Sequence, residues 1–251
     1  MTDLESKIYP LDVNIPHWSM YNKLMWGTRK PSDENKENLL NVVKVGCNSL
    51  INKVAGGSID FNNEASMQLQ LGSLLASVGS LYEYKPRDKF HIELESYADL
   101  PDISVKSGSK TALIDVSMCL GDNHNFSTAA IELKFFKKKN HREPNNRYDV
   151  FADLHNLETY KNNGYDICAF LLLTDHKHYV EHDGYSNDTA DFDFRNGTMY
   201  TKGATLTYRT DTPYGGPIKL QQDLTFEWEE KRMFHVSEQK FKSLYSMLLV
   251  M

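Results

Sequence analysis

The chain has no apolar run approaching the ~18 residues that a membrane-spanning helix needs. Its first residues, Met1 to Ile8, lack the apolar core of a signal peptide. The expectation is therefore a cytoplasmic protein with no membrane partner. Cysteine is scarce: Cys47, Cys119 and Cys168 each lie in an apolar segment, with no metal-binding spacing, and read as reduced core thiols. No internal repeat and no low-complexity linker divides the sequence. A basic excess is also missing. The formal net charge of −6 argues against a diffuse nucleic-acid coat while leaving room for a local basic stripe. What remains is ordinary for one globular unit, with 40% hydrophobic and 25% charged residues in 251. One domain spanning 1–251 is expected.

The most informative stretch is 127–139, Ser-Thr-Ala-Ala-Ile-Glu-Leu-Lys-Phe-Phe-Lys-Lys-Lys. Side chains alternate across a strand, so Glu132 and Lys134 share one face with Ala130 and Phe136, while Ile131, Leu133 and Phe135 take the other. An acid and an amine on an apolar strand need a reason, because either charge is costly to bury alone. A structural ion pair is the plain one. The segment before it adds a second acid: residues 111–120 form another apolar run with Asp115 at its centre. The turn residues Gly121 to Asn125 then join the two as a hairpin. Pairing these strands brings Asp115 towards Glu132 and Lys134. Two carboxylates supply hard oxygen ligands for Mg²⁺ or Mn²⁺, and the ammonium suits an anion or an attacking water.

Upstream, residues 62–78 place Met67, Leu71, Leu74, Leu75 and Val78 at helical spacing. Asn62 or Asn63 can cap this helix, and Glu64 in its first turn suits the dipole. Downstream, Lys134, Lys137, Lys138, Lys139, Arg142 and Arg147 face a single acid, Glu143. That stripe reads either as a solvated loop or, beside a phosphodiester site, as a guide for phosphates. Pro144 to Asn146 read as a break before a helix over 147–161, whose core stripe is Val150, Phe151, Leu154 and Leu157, with Asp149, Asp153 and Asn156 facing elsewhere. Residues 165–174 follow as an almost continuously apolar strand, as expected when both faces are covered. An amphipathic helix over 36–54 and a polar, aromatic-rich stretch over 175–212 complete the outline. The latter leads into turn residues 213–217 and a strand-like 224–228.

In this order and spacing the chain resembles the PD-(D/E)XK nuclease superfamily, over roughly residues 60–180. Asp115 matches the acid of its first metal-binding strand, and Glu132-Leu133-Lys134 matches its Glu-x-Lys. Asp115 follows Ile114 rather than proline. A literal Pro101-Asp102 lies upstream, but in a polar segment where proline sits poorly within a central strand, so Asp115 is preferred on placement. The resemblance implies an α/β, restriction-endonuclease-like core, a mixed β-sheet flanked by helices. An N-terminal helical segment (1–59) and a β-rich C-terminal extension (181–251) would surround it. It implies Mg²⁺, with Mn²⁺ substituting, held by Asp115, Glu132, the main-chain carbonyl of Leu133 and Glu64, with Lys134 at the attacking water. Glu64 reads equally as a surface residue favoured by the helix dipole. Double-stranded DNA is the implied substrate, contacted by Lys137, Lys138, Lys139, Arg142 and Arg147. A homodimeric type II restriction endonuclease is the implied form. The alternatives are a repair, phage-defence or recombination nuclease, or a non-catalytic nucleic-acid-binding protein on the same fold. His176, His178 and His182 complete no recognised zinc spacing and read as a solvated strand end. His124 and His141 flank the motif strand in loops.

Overall fold

The structure is a computed structural model that describes residues 30–60, 62–101, 104, 108–122, 124–139, 142–181, 186–233 and 242–251. Helix α1 (Asp33–Ala55) starts where the Ser32 side chain accepts the Asn35 amide at 3.3 Å, with Asp33 and Glu34 in the first turn favouring the dipole. Helix α2 (Glu64–Gly79) is capped by Asn63, whose side chain accepts from the Ser66 amide at 2.8 Å. The two helices pack closely at Gly46, where a Cβ would meet Leu75 Cδ2 at 2.4 Å. A side chain there would make Leu75 shift.

Three strands follow: β1 (Lys89–Asp99), β2 (Thr111–Gly121) and β3 (Phe126–Phe136). They form an antiparallel meander, and the β2–β3 turn is held by Asp122 Oδ1 accepting from the His124 and Asn125 amides at 2.8 and 2.7 Å. Helix α3 (Glu143–Asn162) then crosses over to β4 (Ile167–Thr174), which lies parallel to β3. The sheet is completed from late in the sequence. Strand β10 (Lys242–Val250) pairs antiparallel with β4, and β9 (Glu229–Met233) with β10, giving the order β1-β2-β3-β4-β10-β9. The fold class is mixed α/β, with a six-stranded mixed sheet flanked by helices. Among the described residues no helix is long and apolar enough to cross a membrane.

Helices α1 and α2 cover one face of the sheet, burying Leu39, Val43, Leu50, Leu71 and Leu75 against Ile131, Leu133 and Leu171. The other face carries α3, with Phe151, Leu154 and Leu157 against Ala130, Phe170 and Leu172. The alternation expected for β3 therefore holds. Over α3 lies the segment 186–228, which contributes two small strand pairs, β5 (Met199–Tyr200) with β8 (Leu224–Thr225) and β6 (Thr205–Leu206) with β7 (Ile218–Lys219). Its Phe192, Phe194 and Phe226 are fully buried, and Phe192 and Phe226 meet Phe151 edge-on. Helix α3 is thus enclosed on both sides.

Several expected boundaries change. The helix expected over 147–161 begins four residues earlier, because Pro144 occupies its first turn, where a missing N–H costs nothing. Asp153 and Asn156, expected to face away from the core, are 0% and 2% exposed: Asp153 pairs with Lys134 of β3, and Asn156 accepts from the Ser104 hydroxyl at 2.9 Å. The strand expected over 224–228 is confined to Leu224–Thr225. Asp102, His141, His182 and residues 1–29 of the N-terminal segment lie outside the described residues.

Candidate active site

The site forms where β2 and β3 part. Their ladder runs from Gly121↔Phe126 to Val116↔Ile131. Beyond it β2 changes face: Val116, Met118 and Leu120 pack on the α1–α2 side, whereas Ala112 and Ile114 pack on the α3 side. Strand β1 changes face alongside, with Leu94 on one side and Ala98 on the other, and at the crossing Glu95 has φ 55°. A left-handed φ on a non-glycine residue costs on the order of 1–3 kcal/mol and persists only where its surroundings impose it. Gln68 of α2 supplies part of that constraint, its Nε2 donating to Glu95 Oε1 at 2.9 Å and to the Asp115 carbonyl at 2.6 Å.

At the crossing, the Asp115 side chain fills the gap between the strands. Its Oδ2 accepts the Leu133 amide at 2.6 Å, standing in for the ladder bond that the divergence removes. Burial lifts the Asp115 carboxyl from 3.8 to about 6; Asp153 and Glu64 add to the rise, while Lys134 and the Leu133 amide oppose it.

The Leu133 neighbours Glu132 and Lys134 both point towards α3. Glu132 is fully buried and accepts from the Tyr160 hydroxyl at 3.2 Å. The Lys134 ammonium donates to the Leu133 carbonyl at 3.0 Å and to Glu64 Oε1 at 3.3 Å, and pairs with Asp153 Oδ2 at 2.6 Å. Burial alone would lower the Lys134 ammonium, but Asp153, Glu64 and Asp115 outweigh it and hold it well above its ordinary value. Asp115, Lys134 and Glu64 are thus brought together from β2, β3 and the first turn of α2, whereas Glu132, on the same face of β3 as Lys134, bonds Tyr160 of α3. Sequence reasoning missed Asp153, Tyr160 and Gln68; an acid at position 153, inside an otherwise apolar helical run, was the available signal for the first.

The donor set is right in kind for a hard divalent cation, being made of carboxylate and carbonyl oxygens. The ammonium of Lys134 draws Glu64 and the Leu133 carbonyl to itself. Among the described residues, no three His, Cys, Asp or Glu side chains stand in metal-holding geometry.

The basic residues that follow divide. Lys138 and Lys139 are exposed just past the end of β3, and Arg142 is exposed at the start of α3. Lys137 is half-buried, with its Nζ donating to Asn62 Oδ1 at 2.9 Å. Arg147 departs from expectation. It is fully buried, its guanidinium over the rings of Phe194 and Tyr179 at 5.3 and 5.5 Å, and presents no surface to a phosphate. Glu158, on the same helix, accepts from the Gln221 and Gln222 amides at 3.0 and 3.1 Å. His124 sits in the β2–β3 turn, at the far end of the hairpin from Asp115, and His176 and His178 meet edge-on at 5.4 Å. Compared with known proteins, the chain matches no family model, no curated protein and no solved structure.

Proposed function

We propose that this protein is a Mg²⁺-dependent endonuclease that hydrolyses phosphodiester bonds of double-stranded DNA, in the form of a homodimeric, site-specific restriction enzyme. The observation that carries the reading is the meeting of Asp115, Lys134 and Glu64 at the point where β2 and β3 part, with Glu132 on the same face of β3 as Lys134. The order of a helix (α2) and then β2-β3-α3-β4, in a mixed sheet flanked by helices, supports it, being the arrangement that the sequence resemblance implies. Asp115, Glu132, Glu64 and the Leu133 carbonyl would hold Mg²⁺, or Mn²⁺ in its place. When bound, such an ion lowers the pKa of a coordinated water and offsets charge on the phosphate. The chain's own groups do the rest. Lys134 presents an ammonium to the scissile phosphate and orients the attacking water. Glu64, whose side chain is 41% exposed, stands at the open side of the site. Lys138, Lys139 and Arg142, exposed between the end of β3 and the start of α3, take backbone phosphates.

The test is incubation of the purified protein with plasmid and phage DNA in Mg²⁺, in Ca²⁺ and in chelator. Discrete Mg²⁺-dependent fragments with ends of fixed stagger are expected, together with a solution mass twice that of the chain. Asp115→Asn and Glu132→Gln should each abolish cleavage without unfolding the protein. Near-wild-type rates in either variant would remove the metal assignment. Smeared products or single-strand nicks would move the reading to a repair, phage-defence or recombination nuclease.

One observation favours a second reading. The Lys134 ammonium already meets Asp153, Glu64 and the Leu133 carbonyl, which is what a structural ion network on a nucleic-acid-binding protein would look like. A mobility shift of DNA with no cleavage under any metal condition would select it.

A further inference from the structure

We propose that Asp153 is a positioning residue for Lys134, fixing the ammonium beside Leu133 while leaving Glu64 free to exchange partners; this rests on the nuclease reading above. An ammonium has three N–H donors. Lys134 turns them on three elements: its own strand through the Leu133 carbonyl at 3.0 Å, α2 through Glu64 at 3.3 Å, and α3 through Asp153 at 2.6 Å. The two carboxylates differ in kind. The Glu64 side chain is 41% exposed and can rotate into solvent or onto an incoming group. The Asp153 side chain is 0% exposed, meets the sheet through Lys134, and cannot turn out into solvent. It is also the nearer of the two.

Stability alone does not call for such a residue. Replacing a buried ion pair with apolar groups of similar volume is often neutral or stabilising, and the surrounding α3 positions Val150, Phe151, Leu154 and Leu157 are already apolar. What Asp153 adds is a fixed anion that keeps Lys134 in place when Glu64 turns away. Two turns further along the same helix, Tyr160 holds Glu132. The helix thus grips both polar members of the Glu-x-Lys.

The experiment is steady-state cleavage in Mg²⁺ by wild type, Asp153→Asn and Asp153→Glu, with DNA affinity measured separately in Ca²⁺. Asp153→Asn keeps the shape and removes the anion, so kcat should fall about 100-fold, the scale of a misplacement of about 1 Å. KM and DNA affinity should stay as in wild type. Asp153→Glu restores the charge one methylene out of place and should recover part of the lost kcat. A purely structural role would lower the melting temperature and leave kcat per folded molecule intact. A folded Asp153→Asn variant with wild-type kcat overturns the proposal while the nuclease reading stands. If Asp153→Asn does not fold, wild-type kcat in Asp153→Glu overturns it instead. A wild-type protein inert towards DNA in both Mg²⁺ and Mn²⁺ removes the nuclease reading and this inference with it.

Discussion

Replacing Glu158 with glutamine should stabilise the protein at alkaline pH and leave it nearly unchanged in mild acid. Glu158 lies on α3, 3% exposed, and clasps the turn after β7: both carboxylate oxygens accept the Gln221 amide, and one also accepts that of Gln222. Burial pushes its carboxyl from 4.5 to about 7, against the partial pull of those two amides and of Lys202. A group whose folded pKa is raised binds its proton more tightly in the fold. Its contribution is complete below 4.5 and is lost as pH climbs through about 7. At about 1.4 kcal/mol per pH unit, the loss between those limits is about 3 kcal/mol. Glutamine carries no charge to desolvate and keeps one oxygen for the amides. Weaker neutral hydrogen bonds return about 1 kcal/mol of the gain. Glu158→Gln should therefore be more stable than wild type by about 2 kcal/mol at pH 8, with the two nearly equal at pH 5. Urea denaturation followed by far-ultraviolet circular dichroism at the two pH values measures this directly. Other titrating groups, Asp115 among them, act in both proteins and cancel in the comparison. Parallel pH profiles, or a variant less stable than wild type at pH 8, would refute the reasoning and mean that the ionised carboxylate is the form the fold prefers.

Three further outcomes are expected. Changing Lys138, Lys139 and Arg142 together to alanine should weaken DNA binding and flatten its salt dependence by about 0.9 for each phosphate no longer neutralised; an unchanged slope would reduce them to a solvated surface. Tyr160→Phe removes one hydroxyl that Glu132 accepts from and should cost about 1 kcal/mol in urea denaturation, the scale of one hydrogen bond to a buried group. A variant as stable as wild type would mean that Glu132 does not depend on this bond. Gly46→Ala should cost about 1–3 kcal/mol, because the added methyl overlaps Leu75 across the α1–α2 contact; melting by calorimetry would show it, and a neutral result would mean that Leu75 swings aside at little cost.

Much of the hairpin was legible in advance. The alternation of β3 follows from the strand period alone, and the Asp122 turn and a cap at Asn62 or Asn63, of which the structure uses Asn63, from local side-chain chemistry. The strand β1 was harder to see. Phe90, Ile92 and Leu94 alternate with polar residues, but the pattern breaks at Glu95, where the backbone turns left-handed and later residues swap faces. A period-based reading has no place for such a crossing. Asp153 was misjudged because its burial follows from Lys134 reaching it across from β3, and Arg147 for another reason. A helical stripe shows which side packs on the sheet, but not that a segment some forty residues later will cover the opposite side as well. Asp115 itself was placed by reasoning about strands, yet its bond to the Leu133 amide depends on the divergence of β2 from β3, which only the three-dimensional register reveals.

The late arrival of β10 has a consequence for how the chain emerges from the ribosome. Strand β4 is buried along its whole length, and one of its two edges is paired by residues 245–251. Until those residues are synthesised, a nascent chain that has already formed the β1–β4 meander and crossover carries an unpaired edge on its most apolar strand. Such an edge is a template for pairing with other chains. Stalled or truncated products should therefore be insoluble even when every residue of the candidate site is present. Productive folding should in turn depend on how soon the final strand closes the sheet.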